Sequence, residues 1–165
     1  MAQVFITDYI DNPNLEQGVL ADSVSIKSNI DTEVLLVWHQ HIDGQYLDQF
    51  PKLKGVVRYG VGFDKIDLEE IRSRGLVFCN TPDYGTDEVS DTALAMMLSL
   101  LRGVFAYNIL SKGYSNTWQE NTIEKLRRVS GLTLGVIGAG RIGTALMRKT
   151  KALSMNIVFY DPYKD

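Results

Sequence analysis

The sequence predicts an α/β protein with a parallel, doubly wound sheet, followed by a separate βαβ unit. Apolar runs of strand length, such as 33–38 and 55–59, alternate with short helical segments over the first half of the chain. Continuous apolar runs are typical of strands buried on both faces. Their alternation with helices implies parallel pairing through right-handed crossovers. Residues 133–161 then read as strand, glycine-rich turn, helix and strand.

Each predicted element has a local reason. Apolar and β-branched runs predict strands at 4–7, 24–26, 33–38, 55–59 and 76–79. Shorter helices are expected at 12–20, 43–50 and 67–74. A long helix from Thr86 to about Lys112 has acids in its first turn and apolar residues on most of its circumference, and we expect it to join two domains. The polar stretch that follows has Trp118 as its one large apolar residue.

Composition restricts the class of protein. The chain has 165 residues, a net charge of -3 and a pI near 5.4, with no cluster of Lys or Arg among aromatic residues. Direct nucleic-acid binding is therefore not expected. The one cysteine, Cys79, excludes a disulfide within the chain and is typical of a reducing compartment. The most apolar run, 93–101, is shorter than the roughly 20 residues that span a bilayer. We expect a cytoplasmic protein without a membrane partner.

The glycine-rich turn organises the second part of the chain. Gly138 is placed to make the sharp turn after the strand, Gly140 to let the backbone approach a pyrophosphate, and Gly143 to let the helix pack on the strand. The helix begins with Arg141 and Ile142, so its first N–H groups are available to an anion. Glycine-rich turns are common in α/β folds, so the spacing alone is weak evidence for a nucleotide site.

Asp161 follows the second strand of this unit, close to the offset of about 20 residues at which an acidic side chain meets the ribose hydroxyls of NAD. A carboxylate there repels the 2′-phosphate of NADP, so NAD is the expected cofactor. The alternative is that Asp161 and Pro162 only end the strand in a turn.

A second candidate anion site is the turn Arg58-Tyr-Gly-Val-Gly62, which directly follows a predicted strand. Open α/β sheets bind ligands at the carboxyl ends of their strands. Gly60 and Gly62, on either side of Val61, free backbone N–H groups for an anion, and Arg58 can add a bidentate donor for a carboxylate. The alternative is a glycine-permitted loop with Arg58 in a surface ion pair.

His39 and His41 follow the strand that ends near Trp38. Two imidazoles do not make a metal site without a third ligand, and no cysteine or carboxylate cluster lies nearby at ligand spacing, so no metal is expected. Trp38 or His39 could line a pocket instead of serving as a simple loop residue. The acidic residues within 64–70 are explained by helix capping and the helix dipole rather than by catalysis.

Together these segments closely resemble the amino-terminal half of the NAD-dependent D-2-hydroxyacid dehydrogenases. The matching motifs are Arg58-Tyr-Gly-Val-Gly-Phe-Asp-Lys-Ile-Asp67, Val77-Phe-Cys-Asn-Thr-Pro82, Glu88-Val-Ser-Asp-Thr-Ala-Leu94, Leu134-Gly-Val-Ile-Gly-Ala-Gly-Arg-Ile-Gly143 and Phe159-Tyr-Asp-Pro-Tyr163. They occur in the family's order. Parts of them are also similar to the C-terminal binding proteins, a branch of NAD-sensing corepressors.

The resemblance implies a flavodoxin-like substrate domain over 1–102 and the first βαβ of a Rossmann NAD-binding domain over 103–165, truncated before its remaining strands. It implies a substrate site at Arg58, Gly60, Val61, Gly62 and His39, and a cofactor site at Gly138, Gly140, Arg141, Ile142, Gly143 and Asp161. Lys65 stands where the family usually has asparagine.

The implied activity is the interconversion of a D-2-hydroxy acid and a 2-keto acid with NAD. The family's catalytic arginine, glutamate and histidine belong to the half that would follow Asp165. No catalytic residue is therefore expected in this chain, which alone is expected to be inactive. The alternative is a non-catalytic NAD-sensing or dimerising interaction protein. A homodimer is expected because the long helix and the βαβ unit carry apolar surface that nothing in the sequence covers.

Overall fold

The computed structural model describes residues 3–113 and 126–164, which belong to two compact units, Met1–Tyr84 and Gly85–Asp165. The first unit contains β1 (Val4–Ile6), α1 (Asn14–Leu20), β2 (Val24–Ser25), β3 (Val34–Val37), α2 (Gly44–Leu47), β4 (Gly55–Arg58), α3 (Leu68–Ser73) and β5 (Val77–Asn80). The second contains α4 (Thr86–Leu101), α5 (Val104–Ser111), β6 (Thr133–Ile137), α6 (Arg141–Lys151) and β7 (Asn156–Tyr160). Trp118 lies outside the described residues.

The five strands of the first unit form one parallel sheet in the order β2-β1-β3-β4-β5. This is the order of flavodoxin-like doubly wound sheets, so the predicted fold class is confirmed. The strand order reverses between β1 and β3. Val56 and Val57 pair in parallel with β3 on one side and β5 on the other, so the turn after β4 leaves the sheet at its carboxyl edge, as the sequence predicts.

The apolar strands β1 and β3 are buried on both faces of this sheet, whereas β5 at its edge leaves Val77 64% exposed. Successive residues of β1 and β3 alternate between two cores, with Phe5, Leu35 and Val37 in one and Val4, Ile6 and Leu36 in the other. The first core also takes Leu47 from α2 and Ile71 from α3. Asp43 and Asp67 cap these two helices, because each carboxylate accepts from backbone N–H groups in the first turn. This capping agrees with the structural explanation of the acids at 64–70.

The second unit pairs β6 and β7 in parallel, from Thr133 opposite Asn156 to Ile137 opposite Tyr160. Helix α6 packs on these strands and on α4. A lysine joins the two helices, because Lys149 Nζ donates to Asp91 Oδ1 at 2.7 Å, Ser90 Oγ at 2.8 Å and Asp87 Oδ1 at 3.0 Å. The two-stranded sheet itself is poorly covered, and Ile137 and Tyr160 are 92% and 67% exposed.

The long helix differs from its prediction. The sequence predicts one helix from Thr86 to about Lys112, whereas α4 and α5 are separate and bent by 62°. The break lies at Arg102 and Gly103, and Gly103 takes the left-handed conformation with φ 63°, which glycine adopts at little cost. Among the described residues, no single helix is long and apolar enough to cross a membrane, although α4 and α5 taken together reach that length and composition.

The two compact units divide at Tyr84 and Gly85, whereas the sequence predicts a domain boundary between 102 and 103. The difference comes from α4, which packs on α6 and so belongs with the βαβ unit. The assignment of substrate and cofactor binding to separate domains stays a prediction.

We expect Leu35→Ala to lower the free energy of unfolding by about 2–5 kcal/mol, because Leu35 is 0% exposed in β3 and its loss leaves a cavity. Leu15→Ala removes the same atoms from a side chain in α1 that is 85% exposed, and we expect it to change the stability by no more than about 0.5 kcal/mol. Urea unfolding followed by circular dichroism measures both. Equal losses in the two variants would contradict the two-faced core.

Candidate functional site

The carboxyl edge of the first sheet brings together residues from three strands. Asp8 follows β1, Trp38 and His39 follow β3, and Arg58 ends β4. Because the strands are parallel, the loops that leave them all begin at this edge. The reversal of strand order between β1 and β3 makes the crevice there the usual ligand position of such sheets.

The Arg58 guanidinium folds back over Gly60. A Cβ at position 60 would lie 2.6 Å from Arg58 Nη1 and 2.9 Å from Cζ, so only glycine leaves room for this arrangement. Nη1 also donates to the Tyr59 carbonyl oxygen. The side chain is therefore held against its own turn, with Nη2 also close to Gly60.

The backbone donors of this turn are partly used within the turn itself. The Gly60 N–H donates to the Arg58 carbonyl oxygen at 2.9 Å, so it is not available to a ligand. The carbonyls of Gly60 and Val61 are also engaged, by Thr81 N at 3.2 Å and Asn80 Nδ2 at 2.8 Å. Within the described part of the chain, the N–H groups of Val61 and Gly62 have no acceptor. Two amides and a guanidinium together can bind a carboxylate.

The loop after β3 is held by Asp8, which sequence reasoning missed. Its carboxylate accepts from Trp38 N at 3.0 Å and His39 N at 2.6 Å. Burial raises the pKa of Asp8, and hydrogen bonds from Thr7, Trp38, His39 and Gln40 outweigh it and hold the pKa below its usual value of 3.8. The only sequence signal was an acid directly after the first strand, since the contact spans about 30 residues.

Aromatic rings line the same edge. The ring centroids of Tyr9 and His39 are 4.7 Å apart, those of His39 and Trp38 6.0 Å, and those of Trp38 and Tyr59 5.8 Å. Burial raises the pKa of Tyr59 to about 12, helped by Glu16, which accepts from the Tyr59 hydroxyl at 3.2 Å. These rings give the loop after β3 a mainly aromatic wall.

His41 does not share this wall, since its Nε2 lies 3.9 Å from Asp43 Oδ2 in an exposed pair. Across the residues that the structure describes, no group of three or more His, Cys, Asp or Glu side chains could hold a metal ion.

The glycine-rich turn shows a separate reason for each glycine. Gly138 has φ 92°, a left-handed conformation that ends β6 in a sharp turn. A Cβ on Gly143 would lie 2.0 Å from the Gly138 carbonyl oxygen, so α6 packs closely on the strand only because residue 143 is glycine. Gly140 has negative φ, and nothing lies within 4 Å of its Cβ position. The described residues therefore give no reason for glycine at 140, whereas a ligand approaching the backbone would.

Helix α6 begins in a way that suits an anion. Gly140 is its N-cap and supplies no side-chain cap, and no acid lies in its first turn. The first hydrogen bond from the helix runs from Thr144 N to the Gly140 carbonyl oxygen, so the N–H groups of Ile142 and Gly143 have no partner within the helix. Arg141 opens the helix, and basic residues occupy its last turn. The positive end of the helix dipole therefore meets the turn without an acidic side chain in the helix's own first turn.

Asp161 lies directly against this turn. Its Oδ2 accepts from Ala139 N at 2.7 Å, and its Oδ1 accepts from Tyr163 N at 2.9 Å. These two hydrogen bonds, with the charge of Lys164, hold the pKa of Asp161 below its usual value of 3.8. The residue does end the strand in a turn, yet each carboxylate oxygen keeps further acceptor capacity for ribose hydroxyls. The residues present thus fit the pyrophosphate and ribose of a dinucleotide.

With this geometry in place, comparison with known proteins decides the family. The model of the D-isomer specific 2-hydroxyacid dehydrogenase catalytic domain matches residues 7–152. The chain belongs to this family. The resemblance drawn from its motifs is therefore confirmed.

Named relatives agree with this assignment. The glyoxylate reductase of Thermococcus litoralis is 35% identical over 150 residues, which are 87% of this chain and 44% of that protein. C-terminal-binding protein 1 of Caenorhabditis elegans is 32% identical over 136 residues, 78% of this chain and 18% of that protein. The crystal structure of Aquifex aeolicus D-lactate dehydrogenase with NAD and lactic acid matches with a TM-score of 0.77 and 26% identity, covering 99% of this chain and 52% of that one. The chain thus spans about half the length of the glyoxylate reductase and of the D-lactate dehydrogenase.

We expect Gly143→Ala to destabilise the second unit strongly and Gly140→Ala to leave its stability within about 1 kcal/mol. The difference follows from the space at each Cβ position, which is 2.0 Å from a backbone oxygen at 143 and open at 140. Thermal unfolding of both variants and the wild type measures it. A Gly140→Ala variant as unstable as Gly143→Ala would show that glycine at 140 serves the fold.

Proposed function

We propose that this chain is the part of an NAD-dependent dehydrogenase that binds cofactor and substrate, in an enzyme that interconverts a D-2-hydroxy acid and a 2-keto acid. The observation that carries the proposal is Gly140, which none of the residues in the described ranges requires to be glycine, in a turn bordered by the Asp161 carboxylate. Membership of the family supports the same reaction class.

The proposed cofactor role divides among few residues. The N–H groups at the start of α6, from Arg141 to Gly143, bind the pyrophosphate beside the open Gly140. The ionised Asp161 accepts from the adenosine ribose hydroxyls and repels a 2′-phosphate, which favours NAD over NADP. The nicotinamide ring supplies or accepts the hydride in such enzymes. The NAD in the D-lactate dehydrogenase structure is consistent with this choice.

The proposed substrate role belongs to the first unit. The Arg58 guanidinium and the N–H groups of Val61 and Gly62 bind the carboxylate that every 2-hydroxy and 2-keto acid carries. His39 lies in the wall formed by the loop after β3. We assign no general acid or base to this chain, and on its own we expect it to be inactive and to bind NAD weakly. We place the protein in the cytoplasm, consistent with its one exposed cysteine, Cys79.

The second candidate function is a non-catalytic, NAD-sensing interaction protein. The likeness to C-terminal-binding protein 1 favours it. The two functions differ in turnover, since only the dehydrogenase oxidises NADH when a 2-keto acid is added.

The cofactor proposal is tested by Asp161→Ala in the full-length protein. We expect the ratio of kcat/KM for NADH to that for NADPH to fall by about tenfold or more, because the variant no longer repels the 2′-phosphate. Asp22→Ala, at an exposed position in the first unit, is the matched control and should keep the ratio. An unchanged ratio in Asp161→Ala would show that Asp161 only ends the strand in a turn and does not select the cofactor. Micromolar or tighter NAD binding by the 165-residue chain, measured by calorimetry, would contradict the expected weak binding.

We also propose that the chain forms a homodimer through its second unit. Phe105 and Ile109 of α5 are 65% and 70% exposed, and Ile137 of β6 is 92% exposed. Exposed apolar groups cost about 25 cal/mol per Å² relative to burial, and large apolar patches usually mark interfaces. A two-fold dimer covers the same patch on both copies.

Sedimentation equilibrium at micromolar concentration tests the dimer. We expect a species near twice the chain mass of 18.5 kDa, and we expect Phe105→Asp to weaken the association by at least about tenfold, because the charge would be buried at the interface. Leu15→Asp, at a side chain of the first unit that is 85% exposed, should leave it intact. A single species at the chain mass, independent of concentration, would refute the proposal.

A further inference from the structure

Asp8 is a carboxylate that the proposed function does not use, and it occupies the point where the strand order reverses. It follows β1, and its two oxygens accept from the N–H groups of Trp38 and His39 directly after β3. The Thr7 hydroxyl adds a third donor at 2.6 Å. In a regular parallel pair, backbone carbonyls would accept these N–H groups. Here the Asp8 carboxylate takes the place of the backbone carbonyls, so the hydrogen-bond ladder between strands β1 and β3 ends at the crevice.

Local stability does not explain the conformation of this edge. Tyr9, the residue after Asp8, has φ 66°, a left-handed conformation that a bulky residue rarely adopts. Trp38 Nε1 is buried and has no hydrogen-bond partner among the described residues, which is an unfavourable state for an N–H group. Such features persist where the surrounding structure imposes them, and they concentrate at binding sites.

A second tether reaches the same loop from the other side. Lys65, in the loop after β4, donates from Nζ to the His39 carbonyl oxygen at 3.3 Å. His39 is thus held through its N–H by Asp8 and through its carbonyl by Lys65. Both contacts are charge-assisted, and the one to Asp8 is shorter, at 2.6 Å against 3.3 Å, so it is the stronger restraint.

We propose that Asp8 is a positioning residue for the substrate site. By accepting from the N–H groups of Trp38 and His39, it holds the aromatic wall of the edge in place and thereby sets the affinity for the 2-keto acid. The residue touches neither substrate nor cofactor. The claim that Asp8 sets the affinity for the 2-keto acid rests on the proposed function. The claim that Asp8 restrains the loop after β3 rests on the geometry alone.

The test compares Asp8→Asn with the wild type and with Asp11→Asn, which removes the same charge at an exposed position three residues on. Hydrogen exchange followed by NMR reports the Trp38 and His39 amides, and steady-state kinetics of the full-length protein report KM and kcat. For Asp8→Asn we expect exchange at these two amides to become about tenfold faster and KM for the 2-keto acid to rise about tenfold. We expect kcat and the KM for NADH to stay within about twofold, since a wall contact made equally in ground and transition states changes KM alone.

Unchanged exchange at the two amides, or an unchanged KM for the 2-keto acid, would overturn the proposal. A variant in which kcat falls and both KM values rise would show that Asp8 serves only the fold, and this result also overturns the proposal. If Asp8→Asn fails to fold, Thr7→Val is tested in its place, because it removes a hydroxyl donor to Asp8 and keeps the carboxylate. The KM for the 2-keto acid must then rise by a smaller factor, with kcat and the KM for NADH unchanged. If the wild type turns over no 2-keto acid, the proposed function and the substrate half of this inference both fail, whereas the exchange rates still decide whether Asp8 holds the loop.

Discussion

Parallel pairing of short strands is the constraint on which the rest of the first unit depends. The strands are two to four residues long, so β1 and β3 are stabilised less by their own ladders than by burial on both faces. Leu35 and Val37 are 0% exposed on one face, and Leu36 between them is buried on the other. Parallel direction then forces the loops after β1, β3 and β4 to one edge. The candidate substrate site exists because the packing of the strands leaves no other place for these loops to meet.

The second unit meets the same constraint with less chain. Two parallel strands with one helix have neither two covered faces nor protected edges. Ile137, Phe159 and Tyr160 are apolar residues of strand type, yet they are 92%, 46% and 67% exposed. Residues of these types are usually buried in strands, and their exposure is the physical reason for proposing that a second copy of the chain packs against them. The tie of Lys149 to the start of α4 shows that the unit is nevertheless fixed internally where its helices meet.

Local sequence patterns predicted most of the fold, but they did not predict contacts between residues that are distant in the sequence. The five strands, their parallel direction and the turn at Gly138 follow from apolar runs and glycine spacing. The break at Gly103 did not, because apolar residues continue on both sides and one glycine inside a helical pattern is often tolerated. Asp8 was missed for a different reason, since its partners Trp38 and His39 lie in another strand's loop. Glycine spacing also did not predict that the Gly60 N–H donates to the Arg58 carbonyl oxygen within its own turn.

The two candidate anion sites solve the same electrostatic problem in different ways. The turn at Gly140 leads straight into the 11 residues of α6, so its N–H groups carry the field of a helix N-terminus, equivalent to roughly half a positive charge. The turn at Gly60 has no such helix, because Asp67 caps α3 with its own carboxylate further along the chain. Two N–H groups without a helix dipole make a weak anion site. The Arg58 guanidinium, folded over Gly60, supplies the missing charge. Together with two N–H groups it suffices for one carboxylate, whereas a pyrophosphate spans more donors than this short turn offers. This difference in charge source is the physical argument for proposing that the dinucleotide binds at the turn at Gly140 and the 2-keto acid at the turn at Gly60.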